Sequence, residues 1–217
     1  MCAGRTDAGV HALQQIVHFD TTVDRQMFSW VRGLNALLPP SIAVRWAFPV
    51  APDEPLFHAR FSAIARTYRY LIYNAPVRAP LLLRRAGWVF RPLDAGRMQD
   101  AANFLLGTHD FSAFRSSQCQ ARSPRRELTM LQVERRAEFV LITLRANGFL
   151  HHMVRNIVGS LIVVGNGNRE PAWIGELLQQ RQRALAAPTF MPDGLYLSRV
   201  DYDRKWQLPQ EPDLWPW

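Results

Sequence analysis

Within the first eleven residues, Gly4-Arg5-Thr6-Asp7-Ala8-Gly9-Val10-His11 sets one carboxylate beside one guanidinium between two glycines. Glycine lets a backbone turn sharply, so the run describes a tight loop that presents Asp7 and Arg5 together. A carboxylate in such a loop can serve as a nucleophile that forms a covalent intermediate and leaves again. It can equally be a turn residue braced by its neighbour, and composition alone favours the second reading.

Metal chemistry has weaker support. His151 and His152 are adjacent, and neighbouring side chains on a helix point about 100° apart, whereas a ligand pair prefers i,i+4 spacing. His11, His18, His58 and His109 are scattered, and the two cysteines, Cys2 and Cys119, lack CxxC spacing. Neither a metal centre nor a disulfide framework is expected.

The elements that must position Asp7 follow from periodicity. Residues 14–20 alternate as a strand, 26–38 carry apolar residues at helical spacings up to Pro39-Pro40, and 42–50 are β-rich. Residues 66–74 alternate cleanly, with Tyr68, Tyr70 and Ile72 on one face. Asp94 caps a helix whose Met98, Ala101, Ala102 and Leu105 form one stripe, ended by Gly107. A polar, basic stretch over 116–126 reads as an exposed loop, followed by strands near 128–135 and 139–146. A helix over 151–164 turns Val154, Ile157, Val158, Leu161 and Ile162 inward, and a short helix follows Pro171. The turn Pro192-Asp193-Gly194 launches a last strand over 195–202, and the tail from Asp203 reads as irregular. Short, half-amphipathic strands alternating with helices predict an α+β fold with antiparallel layers rather than a buried parallel sheet. Two similar halves are expected to meet near residue 92: 1–92, 93–203, and a tail of 204–217.

The chain has 217 residues, 48% of them hydrophobic, enough for one large or two small cores. No apolar run reaches the ~20 residues of a membrane span, and no signal-peptide pattern opens the chain, so a cytoplasmic protein is expected. Lys+Arg is 26 against 18 acids, for a net charge of +8, and Lys205 is the sole lysine. Arginine's planar fork pairs with phosphate and stacks on bases, which makes a nucleic acid the expected partner. Arg115, Arg122, Arg125 and Arg126 cluster suitably to hold phosphates.

Five segments together resemble one family. They are the Gly4–His11 loop; Phe57-His58-Ala59-Arg60-Phe61-Ser62-Ala63 with Arg66-Thr67-Tyr68-Arg69-Tyr70; and Asp110-Phe111-Ser112-Ala113-Phe114-Arg115 with Gln118-Cys119-Gln120-Ala121-Arg122-Ser123-Pro124. Phe149-Leu150-His151-His152-Met153-Val154-Arg155-Asn156-Ile157-Val158-Gly159 and Gly194-Leu195-Tyr196-Leu197 complete the set. In this order they are similar to the motifs of the bacterial tRNA pseudouridine synthase A family.

The resemblance implies the pseudouridine synthase fold, two ferredoxin-like halves sharing a mainly antiparallel central sheet, with the active cleft between them. It implies a homodimer that isomerises uridine to pseudouridine at positions 38, 39 and 40 of the tRNA anticodon arm. Asp7 would be the nucleophile, Arg155 its ion-pair partner, and Arg5 a contact to the RNA and the flipped nucleotide. Tyr68 would stack on the target uracil, and Leu197 or Leu195 would wall the base pocket. An arginine inside an otherwise apolar helix fits the Arg155 assignment, because an unpaired charge there would be costly. The target base must leave its stack before Asp7 can reach its sugar, so base flipping is implied. The isomerisation is redox-neutral and calls for no cofactor. A non-catalytic RNA-binding module is the other reading, and Asp7, Tyr68 and Arg155 separate the two, since a pure binder has no need of them. Family members carry roughly fifty residues before the loop. Here the loop starts at residue 4, so a shortened chain or a misassigned start is expected, with exposed sheet edge and apolar surface.

Overall fold

The computed structural model describes residues 1–50 and 56–212. Among them, strands β1 (His11–Ala12), β2 (Ala63–Asn74), β3 (Gly87–Val89), β4 (Gly107–Asp110), β5 (Arg125–Arg136), β6 (Phe139–Ala146) and β7 (Leu195–Tyr202) form one sheet. Its order is β1-β7-β2-β6-β5-β4, with β3 added alongside the end of β2. The pairs β7–β2, β2–β6, β6–β5 and β5–β4 are antiparallel; only β1–β7 and β2–β3 are parallel. Helices α1 (Met27–Leu37), α2 (Ala95–Asn103), α3 (Met153–Gly165) and α4 (Trp173–Gln180) complete an α+β fold with a mainly antiparallel central sheet.

The main core lies where α2, α3 and α4 cover the β2–β6–β5 region. Tyr70, Ile72, Ile142 and Leu144 from the sheet pack with Met98, Ile157, Leu161, Ile174 and Leu177 from the helices. α2 is capped as its sequence predicts: the Asp94 carboxylate accepts the Arg97 N–H at 3.0 Å. Gly107, with φ +94°, opens β4 three residues past the helix C-cap instead of ending the helix itself. Eleven of the thirteen residues of α3 are buried, so this helix has almost no solvent face and its two remaining residues, Arg155 and Val163, need a reason to be there.

A second, smaller cluster of Ala3, Ile16, Ala59, Leu197 and Val200 sits where the N-terminal segment meets β7. Here the structure departs from the periodicity. Residues 14–20 make no strand: the ladder they would join amounts to one isolated bridge, Cys2 with Val17, and the two-residue β1 lies before them and pairs with β7 instead. Residues 42–50 are not a strand either, because the Asn35 side chain takes both the N–H and the carbonyl of Val44 (2.7 and 2.8 Å). α1 forms within its predicted bounds but buries no residue; Phe28 is 71% and Leu37 87% exposed. The expected loop over 116–126 also ends early, since Arg125 and Arg126 already pair with Asp110 and His109 in the β5–β4 ladder. In the tail, Arg204–Trp206 form one 3₁₀ turn, while 213–217 lie outside the described residues.

Candidate active site

The Asp7 loop is held from both sides. The Ala3 N–H donates to the Ile16 carbonyl at 2.8 Å, and the Gln15 side-chain amide clamps the backbone of Gly4, donating to its carbonyl at 2.7 Å. Beyond the acid, the Val10 N–H returns to the Asp7 carbonyl (3.0 Å) in a turn that needs Gly9 at φ +85°. The Leu13 N–H then docks on the Leu197 carbonyl at 2.8 Å. Arg66, one residue past the β2 bulge, donates to the Ala3 carbonyl at 3.1 Å and to the Arg60 carbonyl at 2.5 Å. That guanidinium is committed to fixing the loop against β2.

Facing the loop is the first turn of α3. Arg155 donates through Nη1 to Oδ2 of Asp7 at 2.8 Å and through Nε to the Phe190 carbonyl at 2.8 Å. The two contacts use two edges of one planar guanidinium, which fixes its plane as well as its distance. The Phe190 carbonyl belongs to a segment lying directly on α3: a Cβ placed on Gly159 would come within 2.5 Å of the Pro188 carbonyl oxygen. Arg155 therefore escapes the apolar surroundings of its helix by reaching out to Asp7, whose side chain is 24% exposed against 14% for the arginine.

The histidines depart from the expectation set by their spacing. α3 starts at Met153, so His151 and His152 occupy the turn before it, and His152 has φ +62°. A left-handed residue breaks the 100° helical stagger that adjacent positions on a helix would show. The two rings instead lie 3.9 Å apart, and their Nε2 atoms stand 3.5 Å (His151) and 3.4 Å (His152) from the Asp7 carboxylate oxygens. Burial lowers the His152 pKa, with Asp7 pulling the other way. The Cys119 sulfur accepts the His151 N–H at 3.4 Å. Burial raises that thiol, but donated backbone hydrogen bonds and Arg115 outweigh it and the net direction is downward.

Beside the carboxylate stands Tyr68 on β2. Its ring meets Phe149 edge-on, with centroids 5.0 Å apart and planes at 82°. Its pKa is pushed up to about 12, first by burial and then by the charge of Asp7, so at neutral pH it is a phenol. Leu197 is fully buried and pairs with Tyr68 across the β7–β2 ladder, where Ser198 bulges out of register and donates to the Thr67 carbonyl at 3.1 Å. Bulges next to a site re-aim side chains, and this one sits between the two residues that flank the Asp7 loop. Leu195 is also buried but pairs with Tyr70, two positions further along the strand.

Behind the histidines an open cleft of about 610 Å³ is lined by Arg115, Ser116, His152, Arg183 and Thr189. Two of the lining residues are anchored from beneath: buried Asn156 accepts from Thr189 (2.7 Å) and Arg183 (3.0 Å) and donates to the Phe114 carbonyl (2.8 Å). The arginines expected to hold phosphates divide into two kinds. Arg122 and Arg125 are exposed, as is Arg5 beside Asp7. Arg115 is spent on the loop itself, donating to the Cys119 and Ala121 carbonyls (2.7 and 2.8 Å), and Arg126 bonds the Ser123 and Arg125 carbonyls (2.9 and 2.6 Å). Sequence reasoning missed Arg183, Asn156 and Thr189. Only the buried asparagine left a trace, as a polar residue inside an apolar helix.

The site is thus a carboxylate oriented by a guanidinium beside a partly buried tyrosine, set on a mainly antiparallel α+β sheet. Comparison with known proteins supplies the class. A family model described as tRNA pseudouridine synthase matches residues 101–203. The tRNA pseudouridine synthase A of Herminiimonas arsenicoxydans is 65% identical over 210 residues, which is 96% of this chain and 76% of that protein. That of Janthinobacterium sp. (strain Marseille) is 65% identical over 97% of this chain and 79% of its own length, and that of Bordetella petrii 58% identical over 96% and 76%. This chain belongs to the tRNA pseudouridine synthase A family. Its family makes it an isomerase that acts on tRNA.

Proposed function

We propose that the protein converts uridine to pseudouridine at positions 38, 39 and 40 of the tRNA anticodon arm, with Asp7 as the nucleophile. A carboxylate oxygen of Asp7 bonds to the target nucleoside and the N1–C1′ glycosidic bond breaks, the electron pair leaving with the uracil. The base turns and its C5 bonds to C1′. Asp7 departs as carboxylate, the C5 proton is lost to solvent, and N1 takes up a proton in its place. Atoms and charge balance without redox chemistry, so the reaction needs no electron carrier. The observation that carries this reading is the Asp7–Arg155 contact at 2.8 Å, with the same guanidinium tied to the Phe190 carbonyl. The contact aims the acid.

Tyr68 serves as the platform for the uracil. A phenol with a pKa of about 12 is a poor proton acceptor at neutral pH, so its part is stacking and hydrogen-bond donation. Leu197 closes the apolar side of the pocket and keeps water from the reactive sugar. The flipped nucleotide passes Arg5, and the exposed Arg122 and Arg125 take phosphates of the same RNA. The enzyme works in the cytoplasm as a homodimer, one tRNA touching both subunits. Position-specific mapping of pseudouridine in tRNA from cells lacking the enzyme, treated with the purified protein, tests the assignment. Appearance of pseudouridine at 38–40 is expected, and modification confined to other positions would overturn it.

A further inference from the structure

The two histidines that crowd Asp7 have no part in the isomerisation just described, yet their placement is specific. Both imidazole Nε2 atoms face one carboxylate, at 3.4 and 3.5 Å, and one ligand atom from each of the three residues lies within 4.8 Å of the others. Those separations are long for a hydrogen bond. The His151 Nε2–Oδ1 and His152 Nε2–Oδ2 separations are each close to the edge of a tetrahedron around zinc, which with metal–ligand bonds of about 2.0–2.1 Å measures roughly 3.3–3.4 Å. The arrangement also requires His152 in the left-handed region at φ +62°, a conformation that residues with a Cβ rarely adopt and that recurs at functional sites. Two imidazoles and one carboxylate with a side open to solvent are a ligand set for zinc and similar divalent ions.

We infer that Asp7, His151 and His152 form a binding site for a divalent transition-metal ion of the zinc type. Arg155 opposes it by charge: its bond is to Oδ2, the oxygen that also faces His152, while Oδ1 faces His151 and is not used by the guanidinium. A ligating carboxylate whose other oxygen is hydrogen-bonded is a usual outer-shell arrangement. The guanidinium sets the affinity below that of a site without it. Bound metal occupies the carboxylate assigned above as the nucleophile, so zinc inhibits the isomerase; that consequence, unlike the binding itself, rests on the proposed function.

Zinc alone, titrated into the protein in competition with a fluorescent chelator, tests the site. One equivalent is expected to bind, about tenfold or more weakly in His151→Asn/His152→Asn, and more tightly in Arg155→Gln, where the competing charge is gone. Binding unchanged in the double histidine variant would assign the ion to another place, such as the His18–His58 pair, whose rings lie 4.7 Å apart, and would overturn the inference. Absence of a bound equivalent would do the same. Release of tritium from [5-³H]uridine tRNA should be blocked by zinc with the midpoint of its binding. Binding that depends on the histidines while the reaction ignores zinc would uphold the metal site and remove Asp7 from the chemistry.

Discussion

Arg155 touches Asp7 and the Phe190 carbonyl at once, and the pair of contacts explains why a charge stands on a helix that is otherwise buried. Lysine in its place could reach one partner but not hold a plane between two. Arg155→Lys is therefore expected to lower kcat/KM by about 100-fold, the order of effect that small misplacement of a reacting group produces. Single-turnover kinetics on tRNA would show it as a slower chemical step with binding little altered. The Asp7 loop and the arginine could be picked out in the sequence only because motifs far apart in the chain occur together; residues 7 and 155 have no local relation. The histidine pair was visible as residues but not as geometry. Its orientation depends on one φ value before the helix, and side-chain spacing carries no signal of that.

Elements were legible where burial reinforces local pattern. β2, β5, β6, β7 and α2 to α4 form close to where periodicity puts them, because each meets a packed neighbour that rewards the pattern. Residues 14–20 and 42–50 show the converse. Their apolar alternation finds no ladder among the described residues, and for 42–50 the backbone is satisfied by Asn35 instead. The element most exposed to test is α3, whose Gly159 lets the segment carrying Phe190 come down on it. With the Pro188 carbonyl only 2.5 Å from a would-be Cβ, and backbone unable to swing aside, Gly159→Ala should cost about 1–3 kcal/mol of stability. The same substitution should lower activity beyond the loss of folded protein, since it displaces the carbonyl that orients Arg155. Urea unfolding and turnover measured on one preparation separate the two effects.

At the scale of the molecule, a net charge of +8 carried almost wholly by arginine suits a polyanionic substrate. Much of that charge is nonetheless internal in effect: Arg66, Arg115 and Arg183 are bound to backbone carbonyls and shape loops. Composition could not distinguish structural arginines from those free to meet phosphate, whereas exposure and partners do. Arg122 and Arg125 belong to the second kind, so replacing both with alanine should weaken tRNA binding. The slope of log affinity against log salt should fall by about one for each phosphate that is no longer neutralised. Arg115→Ala should instead loosen the 116–124 loop, with a larger effect on stability than on that slope. Filter binding over a range of salt concentrations distinguishes them.

All of these features converge on one carboxylate, and the most direct test removes only its charge. Asp7→Asn keeps the size and the turn of the loop while removing the proposed nucleophile. With [5-³H]uridine tRNA in single turnover, the unaltered protein should release tritium from the target uridine. Asp7→Asn should bind the same tRNA and release tritium more slowly by about a thousandfold or more, as removal of an essential nucleophile entails. Release by Asp7→Asn within tenfold of the unaltered rate would contradict the account.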